Sequence, residues 1–138
     1  MCIRDSPFLK LGIDPTFILI GSKNVAAPGP GASAYSVSKA AVNQLVRVAA
    51  LELGSFGVRV NTIHPDCVFD TGLWDDDVLE TRAKKYEMTV EEYKSRNVLK
   101  KPVTSDEVAR MVCVAAGPIF CKTTGAQLPI DGGNERVI

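Results

Sequence analysis

The sequence predicts an α/β fold of about three parallel strands with covering helices, and three stretches carry that prediction. Thr16 to Ile20 is a short apolar run with β-branched residues, closed by Gly21 and Ser22. Ala34 to Leu53 is a long series of strong helix formers, and Val58 to Ile63 is a second strand signal opened by Gly57. Strand, helix, strand in that order is a βαβ unit with a right-handed crossover. The 138 residues suffice for one domain of ordinary size but not for two.

Composition narrows the function classes. Hydrophobic residues at 46% and charged residues at 23% exclude disordered and low-complexity chains. Sixteen basic side chains against sixteen acidic ones leave no excess charge for phosphate neutralisation, so no nucleic-acid partner is expected. Apolar runs such as Phe17–Ile20 fall far short of the roughly 18 residues that span a bilayer, so no membrane partner is expected. Met1 to Pro7 lacks the pattern of a secretory signal, which makes a cytoplasmic protein the expectation.

Each element follows from local chemistry. The first strand, wholly apolar, reads as buried on both faces of a parallel sheet. Asn24 to Ser33 contains Pro28-Gly29-Pro30-Gly31 and is a loop. The helix from Ala34 to Leu53 has Gly54 as its expected stop. It is apolar on more than one face, so it should pack on the sheet and also on a partner subunit, giving a homo-oligomer through residues 34–53. Pro65 is expected to stop the second strand.

The stretch from Asp70 to Glu107 holds 17 of the 32 charged residues and reads as a solvated insertion rather than core. Thr89-Val90-Glu91-Glu92 and Thr104-Ser105-Asp106-Glu107 fit the capping-box pattern, predicting helices near 90–98 and 105–116. A last strand is expected at 126–130, followed by an Asp131-Gly132-Gly133 turn.

Cysteines at 2, 67, 113 and 121 include no Cys-x-x-Cys pair, so no metal site is expected and the thiols read as buried or idle. His64 is the sole histidine; a Ser-His-Asp triad would rest on it alone, and no Gly-x-Ser-x-Gly elbow supports a hydrolase.

The constellation with chemical content is Ser22, Tyr35 and Lys39. Tyr35 and Lys39 are four residues apart on a predicted helix, so both emerge on one face. An ammonium there favours the phenolate, which lets a tyrosine exchange protons near neutrality. Ser22, ending the preceding strand, can hydrogen-bond a substrate carbonyl.

On these residues the sequence resembles the short-chain dehydrogenase/reductases, from about Thr16 to Ile138. The matching segments are Ile18-Leu19-Ile20-Gly21-Ser22, Tyr35-Ser36-Val37-Ser38-Lys39-Ala40-Ala41, Val58-Arg59-Val60-Asn61, and Thr124-Gly125 with Asp131-Gly132-Gly133. Within the family, Ser22 to Gly29, His64 to Trp74 and the final Asp131 to Ile138 are similar to the dehydrogenase portion of bifunctional rhamnulose-phosphate aldolase/alcohol dehydrogenases, which implies a place in rhamnose metabolism. The resemblance implies hydride transfer between NAD or NADP and a small hydroxyaldehyde or sugar-derived alcohol or carbonyl. Ser22 would position the reacting oxygen, Tyr35 would be the general acid/base, and Lys39 would both tune Tyr35 and bind nicotinamide-ribose hydroxyls. Pro65, Val68 and Thr71 would line the cofactor's nicotinamide end. Asp66 stands where the family has glycine, and Thr71 lies one place later than the commonest spacing.

The same resemblance implies the carboxyl-terminal half of a Rossmann-like doubly wound sheet, with 16–138 a partial domain and 1–15 a junction or non-native start plus linker. A phosphate-binding glycine turn between strand and helix is expected upstream. Gly29-Pro30-Gly31 is no substitute, because proline has no amide proton and the helix of Tyr35 follows. The alternative expectation is a truncated, non-catalytic oligomerisation fragment unable to bind dinucleotide.

Overall fold

A central strand with partners on both sides organises the computed structural model, which describes residues 15–133. β1 (Thr16–Ile20), β2 (Arg59–Pro65) and β3 (Gln127–Ile130) form one parallel sheet in the order β1-β2-β3. Thr16 pairs with Arg59 and Ile20 with Ile63, while Thr62 pairs with Gln127 and Pro65 with Ile130. The three strands therefore sit where their sequence signals lie. β2 stops at Pro65 as expected, with the proline as its last paired residue, a position where a missing N–H is tolerated. Residues 1–14, expected as junction and linker, and the terminal 134–138 lie outside the described residues.

Crossing from β1 to β2 is α1 (Ser33–Leu53). Its Val46, Ala50 and Leu53 bury against Val58 and Val60, with Leu19 and Ala49 packed alongside, and this is the main core. Gly54 caps the α-helix after Leu53 as expected, but in a right-handed conformation; the chain continues into a one-turn 3-10 helix, and Gly57, at φ 74°, makes the turn. Glycine populates that left-handed region at little cost, so it is Gly57 that reverses the chain into β2. β1 departs from expectation in its burial: at one edge of the described sheet, its Phe17 and Ile20 are about half exposed rather than buried on both faces.

The interior of β2 is polar as well as apolar. Asn61, fully buried, donates to Thr123 O (2.9 Å) and accepts from Ala126 N (2.9 Å), fastening the turn that leads into β3. Arg59 donates to the carbonyls of Ala115, Ala116 and Phe120 at 2.7–3.1 Å. The first two carbonyls close α4 (Ser105–Ala116), whose last turn has no basic residue, and the third ends the 3-10 turn that follows, so the guanidinium satisfies orphan acceptors at a negative helix end.

The excursion from β2 to β3 corrects the expectation of a mere solvated insertion. α2 (Asp76–Lys85), unforeseen in the sequence, is capped by Asp75, and it packs with α3 (Val90–Lys94). Leu79, Ala83 and Tyr93 are buried there, with Phe69, Trp74, Tyr86 and Val90 around them. The charged residues cover a small aromatic core of its own. Both capping boxes form, Thr89 with Glu92 and Thr104 with Glu107. α3 ends at Lys94 rather than near 98, because Ser95 caps it through Oγ on Glu91 O (2.8 Å) and Asn97 turns the chain by bonding Lys101 at both its backbone groups.

Replacing Asn61 with alanine orphans a half-buried carbonyl and a half-buried N–H together. Loss of about 3 kcal/mol of stability is expected, read as an early denaturant midpoint with an unchanged slope.

Candidate active site

The carboxyl end of β1 is where the sequence places Ser22, and close packing holds it. Gly21 donates to Ile63 O (2.7 Å), and a Cβ there would lie 2.5 Å from His64 Nδ1, so only glycine fits. The imidazole occupies that space. Its Nδ1 is within hydrogen-bond distance of Ser22 N (3.1 Å) and Ser22 O (2.9 Å), and its Nε2 donates to Gln127 Oε1 (2.7 Å). The Gln127 amide nitrogen donates to Gly125 O (3.3 Å), which turns the amide oxygen toward the ring. His64 thus joins the end of β1 to β3 across β2 and serves no triad.

Ser22 is buried, and its Oγ accepts from Asn24 N (3.1 Å), capping a one-turn 3-10 helix over Lys23–Val25. The oxygen accepts and the hydroxyl proton stays available to donate, the role a substrate-oxygen donor needs. Tyr35 stands in the first turn of α1, 47% exposed. One turn later Lys39 Nζ donates to Ile20 O (3.2 Å) and lies 5.8 Å from the Tyr35 ring centroid. The lysine ties the start of α1 to the end of β1 and brings its charge beside the phenol.

The segment after β2 forms the facing border. Cys67 has φ 40°, an uncommon backbone for a residue with a Cβ. Val68 forms a parallel bridge with Val103, and Thr71 Oγ1 donates to Val68 O (2.9 Å). The hydroxyl expected to meet a cofactor is thus bonded to the residue whose backbone was expected to do the same. Asp70 accepts from Ser105 N (2.9 and 3.0 Å) and Ser105 Oγ (2.8 Å), and these bonds hold its carboxyl below the usual range.

One cleft of about 590 Å³ gathers every expected site residue: Ser22, Tyr35, Lys39, Pro65, Val68 and Thr71 all line it. It also gathers residues the sequence did not single out, among them Trp74, Arg82, Tyr86, Tyr93 and Arg96. Their signal was available, since three of the nine aromatic residues, Trp74, Tyr86 and Tyr93, fall inside the charge-rich stretch. Tyr86 and Tyr93 stack at 5.7 Å, and Arg96 lies 5.1 and 4.8 Å from their ring centroids. Among the described residues, no group of three or more His, Cys, Asp or Glu side chains is placed to hold a metal ion. No helix among them is long and apolar enough to cross a membrane.

Cys67 borders the cleft, with Arg96 donating weakly to its Sγ at 3.9 Å. Burial, then the Asp66 carboxylate, push its thiol up to about 12, against an opposing pull from Arg96.

Known proteins resemble this chain in sequence and fold. A family model described as enoyl-(acyl carrier protein) reductase matches residues 8–135. An uncharacterised oxidoreductase of Bacillus subtilis, YuxG, is 35% identical over 123 residues, covering 86% of this chain and 18% of the relative. Sorbitol-6-phosphate 2-dehydrogenase SrlD from Erwinia amylovora superposes with a TM-score of 0.82 over 95% of this chain and 52% of its own; at 22% identity the likeness is one of fold. An NADPH-bound short-chain oxidoreductase from Pseudomonas aeruginosa PAO1 is 28% identical, with a TM-score of 0.75 over 91% of this chain and 48% of its own. The chain spans half or less of the length of the curated relatives it matches.

A thiol whose protonated form persists to about pH 12 does not react as thiolate at ordinary pH. Iodoacetamide at pH 8 should label the exposed Cys113 and Cys121 and leave Cys67 unmodified, as read by peptide mass mapping. Because the folded value lies above the unfolded one, the folded state binds the extra proton between them. Stability from this group is complete below about pH 9 and is lost as pH rises toward 12.

Proposed function

Because the chain belongs to the short-chain dehydrogenase/reductase family, we propose that its cleft is the proton-transfer half of an NAD(P)-dependent oxidoreductase acting on a small hydroxyaldehyde or sugar-derived alcohol or carbonyl. The observation that carries this reading is the meeting of Ser22, Tyr35 and Lys39 in one cleft from two different elements. Ser22 donates its hydroxyl proton to the substrate oxygen and fixes its position. Tyr35, open enough to exchange with solvent, gives or takes the proton at that oxygen. The Lys39 ammonium stands beside the ring and favours the charged phenolate when the proton leaves.

The residues fit the nicotinamide-ribose end of the cofactor. An ammonium and a phenol lie in the same cleft as the Pro65–Val68 segment, and the space is of the size small-molecule sites have. Lys39 would hold ribose hydroxyls, and Pro65, Val68 and Thr71 would border the ring. When bound, the nicotinamide supplies or accepts the hydride. Either NAD or NADP meets these contacts, since none of them touches the adenosine end. The substrate class, and a cytoplasmic role in rhamnose metabolism, are what the resemblance of Ser22–Gly29 and His64–Trp74 to rhamnulose-phosphate aldolase/alcohol dehydrogenases implies.

A second reading, assembly of copies through α1, is favoured by its exposed face. Val37, Val48 and Leu51 line one side with Leu45 at its border, and Leu51 is 84% exposed. A helix so apolar toward solvent is covered in the working protein, and a homo-oligomer covers it symmetrically.

Hydride transfer also needs a turn that holds the dinucleotide phosphates. Turnover is therefore expected from this chain joined to such a turn and not from residues 1–138 alone. In the active form, Tyr35→Phe keeps the ring and removes the proton, so kcat should fall about a hundredfold or more. Lys39→Ala should raise the cofactor KM as well as lower kcat. Near-normal rates for the phenylalanine variant would rule out the assignment. Sedimentation should show oligomers that become monomers when Leu45 and Leu51 are both changed to glutamate.

A further inference from the structure

The cleft has a second chemical character that proton transfer does not use. Four cationic side chains line it, Lys23, Lys39, Arg82 and Arg96, against a single carboxylate, Asp66, although the chain as a whole is neutral. The two lysines have local duties: Lys39 bonds Ile20 O, and Lys23, buried, lies 3.5 Å from Asp131. The arginines sit on the excursion between β2 and β3, Arg82 on α2 and Arg96 just after α3.

The neighbours of Arg96 use only part of its five N–H donors: the Asp66 carboxylate favours its charge and the Tyr86 side chain takes one hydrogen bond. Two tyrosine rings lie within 4.8 and 5.1 Å of its guanidinium carbon, and a thiol sulfur, a weak acceptor, takes one N–H at 3.9 Å. Stacking on aromatic faces fixes the plane of a guanidinium and leaves its edge to bond. Such an edge matches the paired oxygens of a carboxylate or phosphate, and half-burial strengthens the bond by excluding water.

We propose that Arg96, seconded by Arg82, holds an anionic group of the substrate, a carboxylate or a phosphate, so that the cleft selects an alcohol or carbonyl compound carrying an oxyanion. The ligand's identity as substrate rests on the catalytic reading above; the oxyanion site itself rests on the cleft's charge and the stacked arginine. Trp74, the only tryptophan in the chain, lines the same cleft and reports occupancy directly.

The test is titration of Trp74 fluorescence in the 138-residue chain with glycerol, glycerate and glycerol phosphate, which share a three-carbon frame and differ in charge. Glycerate or glycerol phosphate should saturate at concentrations at least tenfold below glycerol, and whichever is tighter identifies the group. Arg96→Gln should remove most of that preference, and Arg96→Lys, which keeps charge but loses the fork, should weaken it severalfold. Arg82→Gln, at an exposed position, carries the comparison should the Arg96 variants fail to fold by circular dichroism, and should weaken it at least threefold. Equal midpoints for glycerol and the anions, or a preference untouched by the folded arginine variants, would overturn the proposal. So would tighter saturation by adenosine diphosphate than by either three-carbon anion, since the arginines would then serve the dinucleotide. An arginine-dependent anion preference alongside turnover indifferent to Tyr35→Phe would sink the catalytic reading and leave the oxyanion site standing; the reverse pattern would sink only this inference.

Discussion

The structure depends on β2 being bonded from both sides while its side chains reach outward to hold everything else. Arg59 at its start closes the end of α4, Asn61 in its middle fixes the turn into β3, and His64 near its end supports Ser22 and reaches Gln127. These three are polar residues inside or beside a core. Each is tolerated because its bonding capacity is used on backbone or amide groups that would otherwise lie buried and unpaired. The apolar positions Val60 and Ile63, interleaved with them, supply the burial. A single seven-residue strand therefore carries both the hydrophobic contact with α1 and the placement of the cleft.

The cleft inherits two kinds of border from this arrangement. On one side, Ser22, Tyr35 and Lys39 belong to the βαβ unit, and the bond from Lys39 to Ile20 O locks helix to strand. On the other, the segment after β2 leaves the sheet through a left-handed Cys67, and α2 and α3 then pack on aromatic residues rather than on the sheet. Asp70 and the Val68–Val103 bridge anchor that excursion to α4. The proposed proton transfer falls on the first border, and the proposed selection of an oxyanion falls to the second.

That division explains what the sequence made legible. The strands, α1, both capping boxes and the Ser22–Tyr35–Lys39 group follow from short-range rules, namely periodicity, cap chemistry and i, i+4 spacing, all of which act within a few residues. Hidden were features decided by distant partners. The aromatic core of Leu79, Ala83 and Tyr93 was masked because its residues are spaced among charges that face water, so mean composition reads as surface. His64 gave no hint of its place between Ser22 and Gln127, since its partners lie 42 and 63 residues away. Gly54 marked the end of the α-helix, but the further tight turn to Gly57, which reverses the chain, left no signal of its own beside it.

The buried pair of Lys23 and Asp131 shows how far this logic extends. β1 and β3 are not neighbours, yet Lys23 follows β1, Asp131 follows β3, and their charges meet at 3.5 Å over the end of β2. At side-chain exposures of 6% and 9% both charges have lost most of their water, and at that separation they gain attraction without a described hydrogen bond. Such a pair is a poor source of net stability, because desolvation offsets the Coulomb term. What it does accomplish is positional: either charge alone would be strongly unfavourable, so conformations that separate the loops after β1 and β3 are disfavoured. The loop after β1 is the one that carries Ser22, and the histidine wedge beside it reaches the same strand by a different route. Two independent links, one ionic and one imidazole-mediated, thus hold the proposed substrate-positioning serine against the only strand in the described sheet that does not touch its own.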